Sequence, residues 1–507
     1  MSCVKISSMI PALSLKNKPS KMPNILIMAT SLYQPFLSPR ITNMLLDKSI
    51  LELLTGYKNK SIDPVDVINE AYGQIDKYSS KLNTLITVRD KQEVLDFLKT
   101  LDSSLPLYGL PYILKDSYAT TELRTTCASK ILDNYLSPYD ATVHKKLKEA
   151  GAILIGKGNQ DAWGHGASTE NSDYGMGKNP WDPTRVVGGS SGGPAAAVAT
   201  RMCAFAIGED TGGSIRNPAA WNNISGLRVT YGRVSRYGCV AYASSMDTVG
   251  PFGKTAADLA IILKVIAGPD VYDGTSAPHE VPDYNLELTK TPNKLKIGIA
   301  PEMFGAGLDQ EISNNAQDFA SKLAELGHQL IDISLPVAEI SDAAYYILAP
   351  SETSSNLGRY DGIRYGNTRD LFTQESMRRI MVGTYELSSG YYDAFYRKAL
   401  KIRTLLIKTF QKAFEQCDVI LLPENPIMPP KLGDLISDPL ANMLADLYNT
   451  PVSLIGSPSL VIPSGFHKNG LPIGVQLVGK KFSESLLLGL GHQYQQVTEW
   501  HTRSPQL

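Results

Sequence analysis

The feature that most constrains the fold is a unit that occurs twice: an amphipathic helix, a glycine and an apolar strand. VHKKLKEAG runs into AILIGKGN, and QDFASKLAELG runs into HQLIDISL. Further strand-like segments are KLKIGIA, CDVILLP and GLPIGVQLVG. Strands that alternate with helices predict an α/β fold. We therefore expect one large mixed central sheet that helices cover on both faces.

Helical patterns also occur outside these units. Residues 42–80 show two amphipathic helices separated by a polar turn, and long helices are predicted at Ala256–Ala267 and Tyr391–Gln416. No repeat of solenoid period and no low-complexity linker interrupts the chain. We therefore predict a single domain over residues 41–507.

The first 40 residues differ in composition from the rest. They contain five Lys or Arg residues, no Asp or Glu, and many Ser and Pro. Organellar transit peptides are similarly poor in acids, but they favour Arg, and only Arg40 is present. Met22 and Met28 offer later start sites. We predict a disordered extension or a start placed too early, and a cytoplasmic protein; an organellar signal is the alternative.

The overall composition excludes several function classes. Apolar residues make up 43% and the net charge is −1, so a direct nucleic-acid binder, which would be basic, is not indicated. No apolar run reaches the roughly 18 residues of a membrane span, and no membrane partner is predicted. The histidines show no metal-ligand spacing, so no metal is predicted. The five scattered cysteines predict reduced, mostly buried thiols.

The segment GEDTGGSIRNPAA places a serine, Ser214, after a glycine pair. Glycine permits close backbone approach, so the N–H groups of Thr211, Gly212 and Gly213 can converge beside the hydroxyl. Such a cluster stabilises the oxyanion that forms when a serine attacks a carbonyl carbon. A tight turn at the end of a strand explains T-G-G-S equally well.

The segment VVGGSSGGPAAAVA places Ser190 before an alanine-rich helix of about a dozen residues. A phosphate-binding loop is one interpretation, but the G-x-x-x-x-G-K-[ST] motif is absent. Gly188–Gly192 also fits G-x-S-x-G, which makes Ser190 a rival nucleophile. That motif needs a strand directly before it, and NPWDPTRVV, with two prolines, is a poor strand.

Lys115 lies in LPYILKDSY, after an apolar run. A free lysine has a pKa near ~10.4, so it serves as a base at neutral pH only where burial or nearby donors favour the amine. A lysine at a strand end whose head reaches solvent is the ordinary alternative.

Together, and in this order, the three motifs resemble the amidase signature family. Ser190 lies 75 residues after Lys115, and Ser214 follows 24 residues later, which fits the family's spacing. The resemblance implies that Lys115 is the catalytic base, Ser190 the bridging serine and Ser214 the nucleophile. It also implies a cis peptide between Gly189 and Ser190, and the family's α/β fold.

Within the family, long stretches resemble the A subunit of the glutamyl-tRNA(Gln)/aspartyl-tRNA(Asn) amidotransferases. They include RTTCASKIL, STENSDYG, TYGRVSRYG, SSNLGRYDGIRYG and MRRIMVGTYELSSGYYDAFY. This resemblance implies that Tyr345 contacts a bound glutamine, that Arg379 binds its α-carboxylate and that Asp446 holds its α-ammonium. An arginine suits a carboxylate because its donors form a fork.

The same resemblance implies an activity and a set of partners. The expected reaction is glutamine hydrolysis, which supplies ammonia to convert Glu-tRNA(Gln) to Gln-tRNA(Gln), or Asp-tRNA(Asn) to Asn-tRNA(Asn). A heterotrimer with the amidotransferase's B and C subunits is expected. The B subunit would use ATP and Mg²⁺ and would bind the tRNA, so no cofactor is expected in this chain.

Several segments depart from the family pattern. Pro194 follows GGSSGG, LRVTYG and LLPENPIMPPKLG replace commoner sequences, and the segment between DGIRYG and MRRI is short. These departures leave the three catalytic candidates in place. A stand-alone amidase that acts on another amide, and a non-catalytic assembly subunit, are therefore the alternatives.

Overall fold

One mixed sheet of eleven strands organises the part of the chain that the computed structural model describes. The described residues are 44–290, 292, 294–305, 307–336, 338–363, 366–437 and 443–507. The predicted extension, residues 1–40, lies outside them. The division into an extension and a single domain therefore stays a prediction.

The strands are short, and most of them are buried. In chain order they are β1 (Leu85–Val88), β2 (Pro111–Lys115), β3 (Ile153–Gly158), β4 (Phe205–Asp210), β5 (Ser225–Arg228), β6 (Thr248–Gly253), β7 (Lys296–Ile299), β8 (Gln329–Asp332), β9 (Val419–Pro423), β10 (Ser459–Phe466) and β11 (Pro472–Gly479).

The strand order is β1-β3-β2-β4-β6-β5-β10-β11-β9-β7-β8. Strand β2 pairs in parallel with β3 and β4, and β7 pairs in parallel with β8 and β9. The other pairs are antiparallel. Every residue of β2, β3, β4, β6, β9 and β11 is buried, so both faces of the central sheet are covered. The predicted fold class, a large mixed α/β sheet, is confirmed.

Fifteen α-helices lie within the described residues. They are α1 (Ile50–Lys58), α2 (Pro64–Leu82), α3 (Lys91–Thr100), α4 (Thr142–Glu149), α5 (Gly192–Ala199), α6 (Arg216–Trp221), α7 (Ala256–Ile266), α8 (Tyr284–Leu288), α9 (Gln310–Glu325), α10 (Ser341–Asn356), α11 (Gln374–Glu386), α12 (Tyr396–Phe414), α13 (Asp434–Ser437), α14 (Thr450–Ile455) and α15 (Glu484–Gln496). None of the helices in this part of the chain has the length and apolarity needed to cross a bilayer.

Both predicted helix–glycine–strand units are present. Helices α4 and α9 are followed by Gly151 and Gly327, at φ +89° and +98°, and then by β3 and β8. These angles lie in the left-handed region, which glycine adopts without a steric penalty, so each glycine ends its helix and turns the chain into the strand.

Three helix predictions differ from the structure at their ends. Helix α1 begins at Ile50 because Ser49 caps it: the Ser49 hydroxyl accepts from the Glu52 N–H, and the Glu52 carboxylate accepts from the Ser49 N–H. Helix α12 begins at Tyr396, after turns that include Gly390 at φ +89°. Helix α5 has only eight residues, because the chain turns at Arg201, where φ is +61°.

Candidate active site

Three strands and two loops bring the predicted catalytic residues to one edge of the sheet. Lys115 is the last residue of β2, and Ser214 lies in the loop that follows β4. Because β2 and β4 are parallel neighbours, their carboxyl ends meet at the same edge. Ser190 precedes α5, which packs on β2, β3 and β4. Residues far apart in sequence therefore share one site.

Lys115 and Ser190 are joined by a short hydrogen bond. The Lys115 side chain is completely buried, and Nζ donates to Ser190 Oγ at 2.7 Å. The hydroxyl of Ser190 is therefore held on the lysine. The peptide between Gly189 and Ser190 is cis, as the family resemblance implied. The segment before it, residues 179–187, contains no strand, so the strand that the G-x-S-x-G interpretation requires is absent there.

Ser214 lies beside this pair but is more accessible. Its exposed fraction is 7%, compared with 1% for Ser190, and its carbonyl accepts from the Ser191 N–H at 3.2 Å. Within the described residues, no hydrogen bond joins the hydroxyls of Ser190 and Ser214. Catalytic hydrogen bonds are often long in a free enzyme and tighten when substrate binds.

The backbone donors near Ser214 divide into two groups. The Gly213 N–H donates to Asp210 Oδ1 at 3.1 Å, so this predicted oxyanion donor is already engaged. The N–H groups of Thr211 and Gly212 have no acceptor among the described residues, and neither does the N–H of Ser214 itself. The structure thus leaves two of the three predicted donors open for an oxyanion.

Asp210 fixes the shape of this loop, a role that the sequence analysis missed. Its carboxylate accepts from Arg216 Nε and Nη2, both at 3.0 Å, from Arg228 Nη1 at 2.6 Å and from the Ile215 N–H at 3.2 Å. Burial opposes ionisation, but the two guanidinium groups hold the pKa of Asp210 well below its usual range. The loop that presents Ser214 is therefore anchored on an ionised carboxylate.

The predicted substrate residues border the same loop. The Tyr345 hydroxyl lies directly against Gly212, and a Cβ at Gly213 would lie 2.9 Å from Asp446 Oδ1. Tyr345 and Asp446 are 2% and 6% exposed. Because Gly212 and Gly213 have no side chains, they leave room for Tyr345 and Asp446.

Arg379 lies close to two further tyrosines, Tyr242 and Tyr346. Its Nη1 donates to the Tyr242 hydroxyl, and its Cζ lies 5.6 Å from the Tyr242 ring and 5.7 Å from the Tyr346 ring. The Tyr346 hydroxyl donates to Asp446 Oδ2 at 3.3 Å. Tyr346 therefore links the predicted carboxylate-binding and ammonium-binding residues.

The electrostatics of this cluster suit a ligand that carries both charges. Burial raises the pKa of Asp446 well above its usual range, and the Asp342 and Asp210 carboxylates add to the shift, whereas Arg379 opposes it. Glu375 accepts from Arg379 Nε at 2.7 Å. An ammonium group placed at Asp446 would favour the ionised carboxylate there.

The sequence analysis missed Tyr242, Tyr346 and Glu375. Glu375 lies four residues before Arg379 on α11, a spacing that predicts an ion pair and could have been recognised. Tyr346 adjoins Tyr345 in AAYYILA, but nothing in the sequence shows which tyrosine faces the site. Tyr242 comes from a loop before β6, and only the folded chain brings it to Arg379.

One group of side chains within the described residues has atoms close enough to hold a metal ion. These are Glu122, Asp140 and His144, whose candidate ligand atoms lie within 4.8 Å of one another. Lys148 Nζ lies 2.9 Å from Glu122, and Arg89 Nη1 lies 3.7 Å from it. These cations already neutralise the carboxylate, and the prediction that no metal is bound stays a prediction.

Comparison with known proteins identifies the family. The family model described as Amidase matches residues 66–488. The chain therefore belongs to the amidase family and is an enzyme of that family, as the sequence analysis predicted.

Two relatives of known name carry the same name. The A subunit of glutamyl-tRNA(Gln) amidotransferase from Coxiella burnetii (strain RSA 493 / Nine Mile phase I) is 46% identical over 481 residues, which cover 91% of this chain and 99% of the relative. The protein of the same name from Thermoanaerobacter pseudethanolicus is 44% identical and covers 90% and 97%. The predicted likeness to this subunit is confirmed.

Solved structures of related proteins have the same fold. The A subunit of glutamyl-tRNA(Gln) amidotransferase from Thermotoga maritima superposes with a TM-score of 0.80 at 35% identity, covering 91% of this chain and 98% of that one. A 6-aminohexanoate cyclic dimer hydrolase superposes with a TM-score of 0.83 at 25% identity, covering 91% and 99%.

Proposed function

We propose that this chain is the glutaminase subunit of a tRNA-dependent amidotransferase. The observation that carries the proposal is the position of Arg379 and Asp446 beside the Ser214 loop, joined through Tyr346. An amino-acid amide presents an α-carboxylate and an α-ammonium, so a site with an arginine and an acid can bind both. Relatives that are 44–46% identical and named as amidotransferase subunits support the same conclusion.

The chemistry begins with proton removal from Ser214. Neutral Lys115 accepts the Ser190 proton across the 2.7 Å hydrogen bond, and Ser190 accepts the Ser214 proton. Ser214 Oγ then forms a bond to the side-chain amide carbon of glutamine. The N–H groups of Thr211 and Gly212 donate to the oxyanion, whereas the N–H of Gly213, the third donor that the sequence suggested, stays on Asp210. A single such donor is worth on the order of 10²–10³ in rate.

The second half of the reaction returns the enzyme to its starting state. The carbon–nitrogen bond breaks, and ammonia leaves with the proton that Lys115 returns through Ser190. Water then attacks the glutamyl ester, Ser214 regains its proton, and glutamate is released. Acylation and deacylation replace one difficult hydrolysis by two easier steps.

The proposal extends to partners. The amidotransferase's B subunit would activate the aminoacyl-tRNA with ATP and Mg²⁺ and would bind the tRNA, and its small C subunit would complete a cytoplasmic heterotrimer. Ammonia from this chain would convert Glu-tRNA(Gln) to Gln-tRNA(Gln), or Asp-tRNA(Asn) to Asn-tRNA(Asn). The near-neutral charge of −1 supports tRNA binding by a partner rather than by this chain.

The test uses Ser214→Ala in the assembled complex, with either glutamine or free ammonium as the nitrogen source. The glutamine-dependent reaction should be lost, whereas the ammonium-dependent reaction should continue, because only nitrogen release needs Ser214. Loss of both reactions in a complex that still assembles would contradict the assignment of Ser214.

A stand-alone amidase is the second candidate, and one structural feature favours it. Glu424, which follows β9 in a segment that departs from the family pattern, is buried and accepts from Asn449 Nδ2 at 2.8 Å. Asn449 packs against Gly213, so this departure reaches the Ser214 loop. Steady hydrolysis of a non-glutamine amide by the isolated chain, unaffected by Arg379→Ala, would favour this candidate over the first.

A further inference from the structure

A second buried carboxyl group faces the catalytic lysine. Glu209, near the end of β4, places Oε2 3.5 Å from Lys115 Nζ, and its carbonyl oxygen lies 3.4 Å from the same nitrogen. Glu209 is 2% exposed. Its other carboxyl oxygen, Oε1, has no hydrogen-bond partner within the described residues. The buried carboxyl group is therefore directed at one cation, Lys115.

The backbone around Glu209 is held in place by the serine loop. The Ser191 hydroxyl donates to the Glu209 carbonyl at 3.0 Å, and the Glu209 N–H donates to the same hydroxyl at 3.3 Å. Ser191 directly follows the bridging Ser190. The carboxyl group and the Lys115–Ser190 hydrogen bond are therefore positioned by the same short segment.

Among the residues that the structure describes, no second cation contacts the Glu209 carboxyl. The other groups that interact with it are Ser117, Tyr118, Cys127, Cys239 and Asp247. Burial raises the pKa of Glu209 to about 7, with Lys115 opposing the shift and Asp247 adding to it. Glu209 and Lys115 are thus a carboxyl and an amine 3.5 Å apart, and one proton can reside on either group.

We propose that Glu209 is a positioning residue that shares one proton with Lys115 and so sets the pH above which Lys115 accepts the Ser190 proton. The inference rests on the proposed role of Lys115 as base. An ionised carboxylate at 3.5 Å favours the ammonium form of the lysine, and a protonated carboxyl favours the amine. Glu209 thereby couples the charge of the base to pH.

The same carboxyl also acts during the reaction. When the Ser214 proton passes to Ser190 and the Ser190 proton passes to Lys115, an ammonium group appears in a fully buried position. The Glu209 carboxylate then balances that charge, and it loses this function when the proton returns to the leaving group. No other reactant is needed, because the protons only move between groups already present.

The test substitutes Glu209→Gln, which keeps the shape and removes the charge. The full-length chain is labelled with an alkyl fluorophosphonate, in which a bond from Ser214 Oγ to phosphorus forms and fluoride leaves. The rate of labelling is measured against pH. Without the carboxylate, Lys115 should act as a base at lower pH. The acid limb of the profile, where the labelling rate rises with pH, should therefore shift to lower pH by about one unit or more. An unmoved limb in a folded variant would overturn the inference.

A matched control and a second variant separate this effect from simple damage. Glu386, on α11, is also a buried glutamate, with Ser351 Oγ donating to it at 3.1 Å. Glu386→Gln should leave the acid limb unchanged. Glu209→Asp keeps the charge but withdraws it by one methylene, so its limb should lie between those of the wild type and Glu209→Gln. If Glu209→Gln does not fold, an unmoved limb in Glu209→Asp overturns the inference instead.

The probe also separates this inference from the proposed function. Labelling requires neither glutamine nor tRNA, so it reports only how readily Ser214 is activated. A wild-type chain that is labelled but does not hydrolyse glutamine would contradict the proposed function and leave the Glu209 inference standing. Parallel measurement of glutamate release shows which of the two has failed.

Discussion

Two buried lysines on neighbouring strands have very different surroundings. Lys115 ends β2 and Lys157 lies near the end of β3, and both are completely buried. Lys157 Nζ contacts the Tyr118 carbonyl at 2.8 Å and the Thr125 hydroxyl at 3.0 Å. It also contacts Asp116 Oδ1 at 3.2 Å. Lys115 Nζ has one short contact, the Ser190 hydroxyl.

The difference shows what makes a buried lysine a base. Every short contact of Lys157 is an acceptor: the Thr125 hydroxyl donates its own proton to the Tyr118 carbonyl at 2.8 Å, so it accepts from the lysine. Burial lowers the pKa of Lys157, and Asp116 opposes this shift. The short contact of Lys115 is a hydroxyl, which can either accept a proton or donate one. We infer that Lys157 is a structural cation that ties β3 to the chain after β2, whereas Lys115 exchanges protons.

The largest effect is expected from Lys115→Met. This change removes the base and leaves Glu209 buried without its cation, but burial already raises the pKa of Glu209, so its carboxyl can take up a proton. We therefore expect kcat/KM for glutamine to fall by about 10²–10⁴, with a smaller loss of stability than Lys157→Met causes. The measurements are glutamate release and thermal unfolding. Near-normal turnover would contradict the role of Lys115 as the base, because Lys115 would then be structural like Lys157.

The corresponding change at the other lysine, Lys157→Met, should act on stability. It leaves Asp116 buried without its cation, and removal of one partner of a buried ion pair costs about 3–5 kcal/mol of unfolding free energy. Chemical denaturation measures this loss. Wild-type stability together with lost turnover would reverse the roles assigned to the two lysines.

The smallest effect is expected from Thr125→Val, which deletes one acceptor of Lys157 and keeps the side-chain shape. The free energy of unfolding should fall by about 1 kcal/mol, with kcat/KM unchanged, because the remaining contacts of Lys157 persist. Differential scanning calorimetry and steady-state kinetics are the measurements. A selective loss of kcat/KM would show that the Lys157 network reaches the chemistry.

The sequence predicts the sheet better than it predicts the site. The helix–glycine–strand units depend on local pattern, and Gly151 and Gly327 end their helices as expected. Lys115, Ser190 and Ser214 stand out through their motifs, and the structure brings them to one edge of the sheet. Helix ends such as that of α5 are harder to predict, because a single residue outside the pattern can turn the chain.

Glu209 and Tyr242 could not be recognised in the sequence, and the physical reason is the same for both. Glu209 and Tyr242 reach the site from strands and loops whose side-chain directions only the folded chain fixes. The engagement of the Gly213 N–H by Asp210 depends on the exact turn after β4, where φ at Gly213 is +142°. Spacing in a sequence identifies reactive side chains, but it does not show which backbone donors are already occupied.

The carboxylate of Asp210 has a consequence for how this enzyme can change. It joins the turn that presents Ser214 to Arg228, at the end of β5, and to Arg216, which in turn donates to Ser453 and to the Asn449 carbonyl. Folding defects and catalytic defects should therefore be inseparable at these positions. A search for variants with altered substrate range should therefore find almost no tolerated substitutions at Asp210, Arg216 and Arg228.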